Sequence, residues 1–451
     1  MKARSLLAVL ATGVFVAAMT SASPCAADDL VPSISIQAGA TFVRSPVQDG
    51  KIDDYFVAAT PAITYFIDGE RTLYSITYAF TGSLNSQLPN SVANSLALAT
   101  ATDVGPNTRL LFGVSALQSL LGNYLLVRRA ADTRIGALNN LNTSLLTIQA
   151  TQGISHDITP VLRLNQGLTG TYFTSLDPQV PIDNWVGVAS VGMARSWEFD
   201  SVGGEVSFQY AKTRAPPFEN TAYTIAGGPT WDHDISRTVT LSLGAAVQFA
   251  FSPDPDAGTL IGPQGFARLA YLSEGYGIAG SYTYGVEPNP LLGTLFQAHQ
   301  AEIRGVTPIS TAEQIFFGVS AGYLQGTNLD LTLPRGGFNN RFEAVLHDAD
   351  LTWGATEFMS LFLRYQFIGQ GRGEGIAASP PVVRHAGIFG IDIFGARRAI
   401  RQRAKVPTKF PTRVDGADGR GGGGAFGMPG AGGAGGAGGA GGAGGAGGLG
   451  R

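Results

Sequence analysis

At 451 residues the chain is long enough for several ordinary domains, yet only 14% of it is charged, too little for the surfaces that several soluble domains would present. Hydrophobic residues make up 44%, but beyond the N-terminus no stretch approaches the roughly 18 uninterrupted apolar residues of a membrane helix, which excludes an apolar helix bundle. A net charge of −3 gives no whole-chain basis for binding nucleic acid.

Residues 1–27 read as a signal peptide. Lys2 and Arg4 supply the positive end, Leu6 to Met19 the apolar run, and Cys25-Ala26-Ala27 before Asp28 a small-x-small cleavage site. An N-terminal anchor is the alternative, for which the run is short; Pro24 is a poor neighbour for lipidation at Cys25. Cleavage after Ala27 removes the only cysteine, and with it any disulfide, thiol nucleophile or cysteine-ligated metal.

From Val31 onward apolar and small polar residues alternate with a period of two, because successive side chains of a strand leave opposite faces. The pattern predicts strands near 31–44, 55–67, 71–82, 91–102, 107–119, 142–156, 159–174, 184–198 and 203–214. It continues with strands near 221–232, 237–251, 259–272, 276–287, 292–306, 312–325, 339–352, 357–369 and 382–395. In 237–251, Val239, Leu241, Leu243, Val247, Phe249 and Phe251 share one face and Thr238, Thr240, Ser242, Gly244 and Gln248 the other. In 357–369, Arg364 and Gln366 fall on the polar side.

Short turns, several built on Asp, follow the even-numbered strands, and longer polar loops follow the odd ones, the longest being 120–141. With about 18 strands, an even number, both termini lie on one side, as in bacterial single-chain barrels. Short periplasmic turns and long external loops then put the N- and C-termini in the periplasm. A recurring hairpin first suggests a propeller, but a propeller blade uses four short strands, whereas here two strands of about a dozen residues fill each repeat. Soluble sandwiches alternate too, with shorter strands and more outer charge. The expected architecture is therefore all-β: a transmembrane antiparallel up-and-down β-barrel spanning 28–395.

Aromatic residues gather towards strand ends at Tyr65, Phe66, Tyr172, Phe173, Trp185, Trp197, Trp231, Tyr282, Tyr284, Tyr365 and Phe367, where interfacial girdles would put them. Strands are rich in aromatics in any case. After the last strand, 396–451 changes character: a basic stretch including Arg397, Arg398, Arg401, Arg403, Lys405, Lys409 and Arg413, then a Gly-Gly-Ala repeat from about Gly430 to Gly448. Such sequence buries no core and is expected to be a disordered periplasmic tail, either a tether to anionic material or a tolerated extension.

No Gly-x-Ser-x-Gly, His-Glu-x-x-His or Walker pattern occurs, and His156 and His233 fall in or beside turns, so no catalytic, cofactor or metal site is assigned. Alternation instead assigns a pore lining: Arg163, Asn165, Glu205, Gln209, Gln248, Arg268, Glu302, Arg304, Arg341, Glu343, Arg364, Arg384 and Asp392. Charge on a membrane strand faces inward because lipid excludes it. The set is mixed in sign, so strong ion selection is not expected, and at this strand number the lumen is aqueous unless plugged.

These hairpins, turns and signal peptide resemble the divergent outer-membrane β-barrel porins of Gram-negative bacteria over about residues 31–395. In size and strand number the chain is also similar to the barrels that accompany exopolysaccharide export systems. The final strand, Gly387-Ile-Phe-Gly-Ile-Asp-Ile-Phe394, is broadly like the signal read by the barrel assembly machinery, though it lies some 57 residues before the C-terminus. The resemblance implies outer-membrane lipid as surroundings, and a periplasmic export protein and a polysaccharide chain as partners. Three roles follow: a polysaccharide export channel, the reading the resemblance favours; a general diffusion porin for small hydrophilic solutes; and a non-conducting surface barrel with a plugged lumen.

Overall fold

In a computed structural model the described residues are 28–45, 50–68, 71–88, 90–120, 144–177, 183–215, 218–253, 258–273, 276–288, 295–309, 315–329, 340–356, 358–371 and 382–394. The expected signal peptide, the loop at 121–143 and the basic and Gly-Ala tail lie outside them.

The described residues form eighteen strands: β1 Asp28–Ser45, β2 Gly50–Asp68, β3 Thr72–Asn85, β4 Ser91–Gly105, β5 Thr108–Leu120 and β6 Ser144–Thr159. There follow β7 Leu162–Ser175, β8 Asp183–Ser196, β9 Asp200–Ala215, β10 Phe218–Ser236, β11 Val239–Phe251 and β12 Thr259–Ser273. The last six are β13 Tyr276–Pro288, β14 Leu295–Pro308, β15 Ile315–Leu329, β16 Asn340–Thr356, β17 Met359–Gln370 and β18 Val382–Phe394. Each pairs antiparallel with its chain neighbours, and β1 pairs with β18 from Ser33–Phe394 to Arg44–Val383, closing the sheet. Closure removes both sheet edges, so nearly every backbone group finds a partner within the ring.

Each predicted strand is present, and the short turns show why the chain reverses where it does. At the β10–β11 turn the Ser236 hydroxyl accepts the backbone N–H groups of Thr238 and Val239 at 3.2 and 3.1 Å. Register shifts sit at four of these turns, between Asp103 and Gly105, Asp157 and Thr159, Asp234 and Ser236, and Gly354 and Thr356. A bulge there absorbs one residue and adds twist, which suits a tightly turned hairpin. Three connections depart from the expected lengths. The loops foreseen around 45–54 and 215–220 are taken up by the flanking strands, leaving four and two residues, and the turn after β14 spans the six residues 309–314.

Alternation gives the wall two unlike faces. The outward face carries large apolar side chains with nothing packed on them: Ile261 and Val247 are each 66% exposed, Leu363 and Phe389 each 55%. Trp185 faces outward against Tyr172, ring centroids 4.2 Å apart, and Trp231 donates its indole N–H to Asp200 at 2.9 Å. Phe173 departs from the expected girdle: it pairs in register with Asn184 on the inner face and is fully buried, because the outward position beside it belongs to Tyr172.

Candidate pore lining

Since residues paired across an antiparallel ladder share a face, the registers assign a side to every described strand position. Arg163 and Asn165 of β7 face inward beside Ala194 and Gly192; the outward neighbours Leu164 and Leu168 confirm the phase. Glu205 and Gln209 of β9, Gln248 of β11 and Arg268 of β12 face inward, as do Glu302 and Arg304 of β14. Arg364 of β17 and Arg384 and Asp392 of β18 complete the inward set.

Two of the thirteen assigned residues are corrected by the register. In β16 the outward positions are Val345, Leu351 and Trp353, which face Tyr323, Phe317 and Ile315. Glu343 and the backbone position of Arg341 carry that same outward parity. Alternation was read here in the wrong phase; both residues lie at the end of β16 next to the 330–339 connection, where a charged residue need not meet hydrocarbon. The inward residues of that strand are Ala344, Leu346, Asp348 and Asp350.

Reading the polar side of each strand from sequence missed several acids. Asp54 of β2 is buried and inward, and it accepts hydrogen bonds from the Ser86 hydroxyl and the backbone N–H groups of Gln87 and Leu88, at 3.1, 2.7 and 3.2 Å. The start of the β3–β4 connection is thereby clasped to the end of β2. Among the residues whose side chains are described, register puts six arginines and ten acids on the inner face. Part of this charge is self-compensated: Arg163 pairs with Asp157 at 2.6 Å, and Arg304 pairs with Glu302.

The interior is not uniform along its axis. At the rim bearing the short turns, the inward Thr151, Gly153, Ser155 and Asp157 of β6 are partly open, whereas Leu145, Thr147 and Gln149 of the same strand, nearer the long loops, are buried. In β9 the same holds in reverse chain order, with Gly203 and Glu205 partly open and Ser207, Gln209 and Ala211 buried. Among the buried inward groups, the Ser207 hydroxyl, the Thr224 hydroxyl and both amide atoms of Gln209 have no protein partner. Buried groups of this kind need water or a polar solute to complete their hydrogen bonds.

All five histidines have outward parity. His156 bonds Thr108 at 2.8 Å, His233 bonds Asp200 at 2.9 Å, and His299 and His385 bond the hydroxyls of Tyr282 and Tyr365, each at 2.7 Å. His347 stacks on Phe367, 5.7 Å between centroids. No group of three metal-capable side chains occurs among the described residues.

No protein-family model matches the chain, and no curated protein is similar to it in sequence. Among solved structures it is similar to the Pseudomonas aeruginosa protein OccK5 (TM-score 0.41, 9% identity, covering 80% of this chain and 98% of that one). It is similar also to Acinetobacter baumannii OccAB3 (0.41, 10%, 81% and 100%). The ferric-catecholate import receptor Fiu of E. coli K12 gives 0.42 and 10%, with 80% and 81% covered. At these values the likeness is one of barrel architecture alone.

Proposed function

We propose that this protein is a channel of the bacterial outer membrane that passes small hydrophilic solutes through its lumen. One observation carries the reading: the ring is closed, apolar without and polar within, and the polar interior holds buried groups such as Gln209 that lack a protein partner. An apolar outer wall suits lipid, and a closed barrel is the one sheet that can enter a bilayer with its backbone satisfied. The short-turn rim and both ends of the strand array then face the periplasm. Arg163, Asn165, Glu205, Gln209, Gln248, Arg268, Glu302, Arg304, Arg364, Arg384 and Asp392 line the path, with Asp348 and Asp350 added. The excess of inward acids favours cations weakly, because much of the charge is paired and the remainder is screened at physiological salt.

No described feature favours the polysaccharide-export role that the sequence resemblance implies. Purified protein in planar bilayers should give stepwise conductance that sugars of low mass do not abolish. In parallel, polysaccharide should be measured at the cell surface and in the periplasm after deletion of the gene. Unchanged surface polymer fits the solute channel; its loss, restored by the wild-type gene, would replace that reading with export.

A further inference from the structure

Strand β13 parts from its neighbour before it ends. Its ladder with β12 runs from Ser273–Tyr276 to Gly265–Tyr284 and stops, while its ladder with β14 continues to Pro288–Leu295. β12 itself continues to Thr259, bonded only to β11. The wall is therefore split over the last residues of β13, on the side of the long loops.

The side chains show which way the free end has gone. Tyr282 and Tyr284 point outward, and continued alternation would send Val286 out as well. Val286 is instead 4% exposed and packs with Ala222, Ala250 and Leu260, inward residues of β10, β11 and β12. A strand whose outward face meets the inner face of its neighbours has moved inside the ring.

Gln248 of β11 holds it there. This buried, inward side chain donates through Nε2 to the Val286 carbonyl at 2.5 Å and accepts the Val286 N–H at 2.7 Å through Oε1. One side-chain amide thus replaces the ladder that β12 no longer supplies, across two strands rather than one. A backbone pair left bare in this setting would be costly, so the latch and the displacement depend on each other.

We propose that the 285–288 end of β13 is the constriction of the channel, and that Gln248 is the positioning residue that holds it inside the ring against β10–β12 and so limits solute size. The proposal rests on the channel reading above. Among the described residues, only the β13 end leaves the ring and is bonded inside it.

The test uses the full chain in planar bilayers, with single-channel conductance and exclusion of graded polyethylene glycols as readouts. Gln248→Ala should raise conductance several-fold and admit polymers that the wild type excludes. A Gln248→Ala chain also carrying Ala250→Cys and Val286→Cys should return to wild-type values when oxidised and open on adding reductant. Because both states come from one folded sample, misfolding cannot imitate that result. A silent wild type with a conducting Gln248→Ala would also support the proposal, the segment then closing the lumen. Wild-type conductance unaltered by Gln248→Ala and by reductant would overturn the constriction and leave the channel standing. No current through any variant would overturn both.

Discussion

Phe56 lies flat against the inner wall over Gly39, its partner in the β1–β2 ladder: a Cβ on Gly39 would sit 2.7 Å from Cζ of the ring. The arrangement recurs, with Phe362 over Gly390 and Phe266 over Gly244, each a register pair on the inward face. A missing side chain on one strand lets a large ring on the next fold down along the wall instead of projecting into the lumen. Phe56 and Phe362 meet Ala58 and Ile388 in an apolar patch on the inside of the barrel.

Gly39→Ala should therefore lift Phe56 from the wall and press on the Gly387 carbonyl oxygen of β18, 2.5 Å from the added Cβ. Overpacking of this kind costs about 1–3 kcal/mol, and a ring swung inward should lower conductance as well. Unfolding in urea and single-channel recording on the same preparation test both effects. Stability and conductance equal to wild type would mean that the ring has another resting place.

Asp54 should act as a clasp for the loop start at Ser86–Leu88. Asp54→Ala removes three accepted hydrogen bonds from a buried site, for a loss of about 1–3 kcal/mol. Hydrogen exchange at the backbone N–H groups of Gln87 and Leu88 should quicken more than exchange elsewhere. Uniform quickening would assign Asp54 to global stability instead.

Asp348 and Asp350 should contribute to ion preference. Asp350 stands opposite Arg364 in the β16–β17 ladder, and its carboxylate lies over Gly318. Asp348→Asn combined with Asp350→Asn should shift the reversal potential in a salt gradient towards anions, most at low ionic strength where screening is weakest. An unchanged potential would show that the inner acids are already neutralised by neighbouring arginines.

The two faces should tolerate charge very differently. Leu363→Arg introduces a cation on the outward face and should cost about 2–4 kcal/mol in a bilayer if that position lies near the midplane. Arg364→Leu, one residue along and facing in, should fold normally and alter conductance. Equal tolerance at both sites would argue against lipid around the barrel.

Strand number, strand type and most inward positions were legible from residue order, because period-two alternation is a local property that every strand states for itself. The short turns around Asp103, Asp157 and Asp234 were legible as turn positions, although the Asp157 and Asp234 carboxylates bond side chains, those of Arg163 and Thr240. Where alternation weakened, so did the reading. At Arg341 and Glu343 alternation was read in the wrong phase, and the register with β15 decided otherwise. Asp54, Asp348 and Asp350 escaped notice because an acid in a strand does not show whether it will be clasped, paired or open.

Residue order alone dictates many long strands with one apolar and one polar face, since each face follows from spacing along a single segment. Closure of the ring through β1 and β18, burial of the inward residues Gln149, Gln209 and Gln248, and the slip of β13 inside β12 arise only once the chain is folded. Those features rest on partners far apart in the chain: the amide of Gln248 meets the backbone of Val286 38 residues later, and no local pattern specifies that meeting. Burial of Val286 against Ala222 and Ala250 becomes available only once the ring has brought β10, β11 and β13 together.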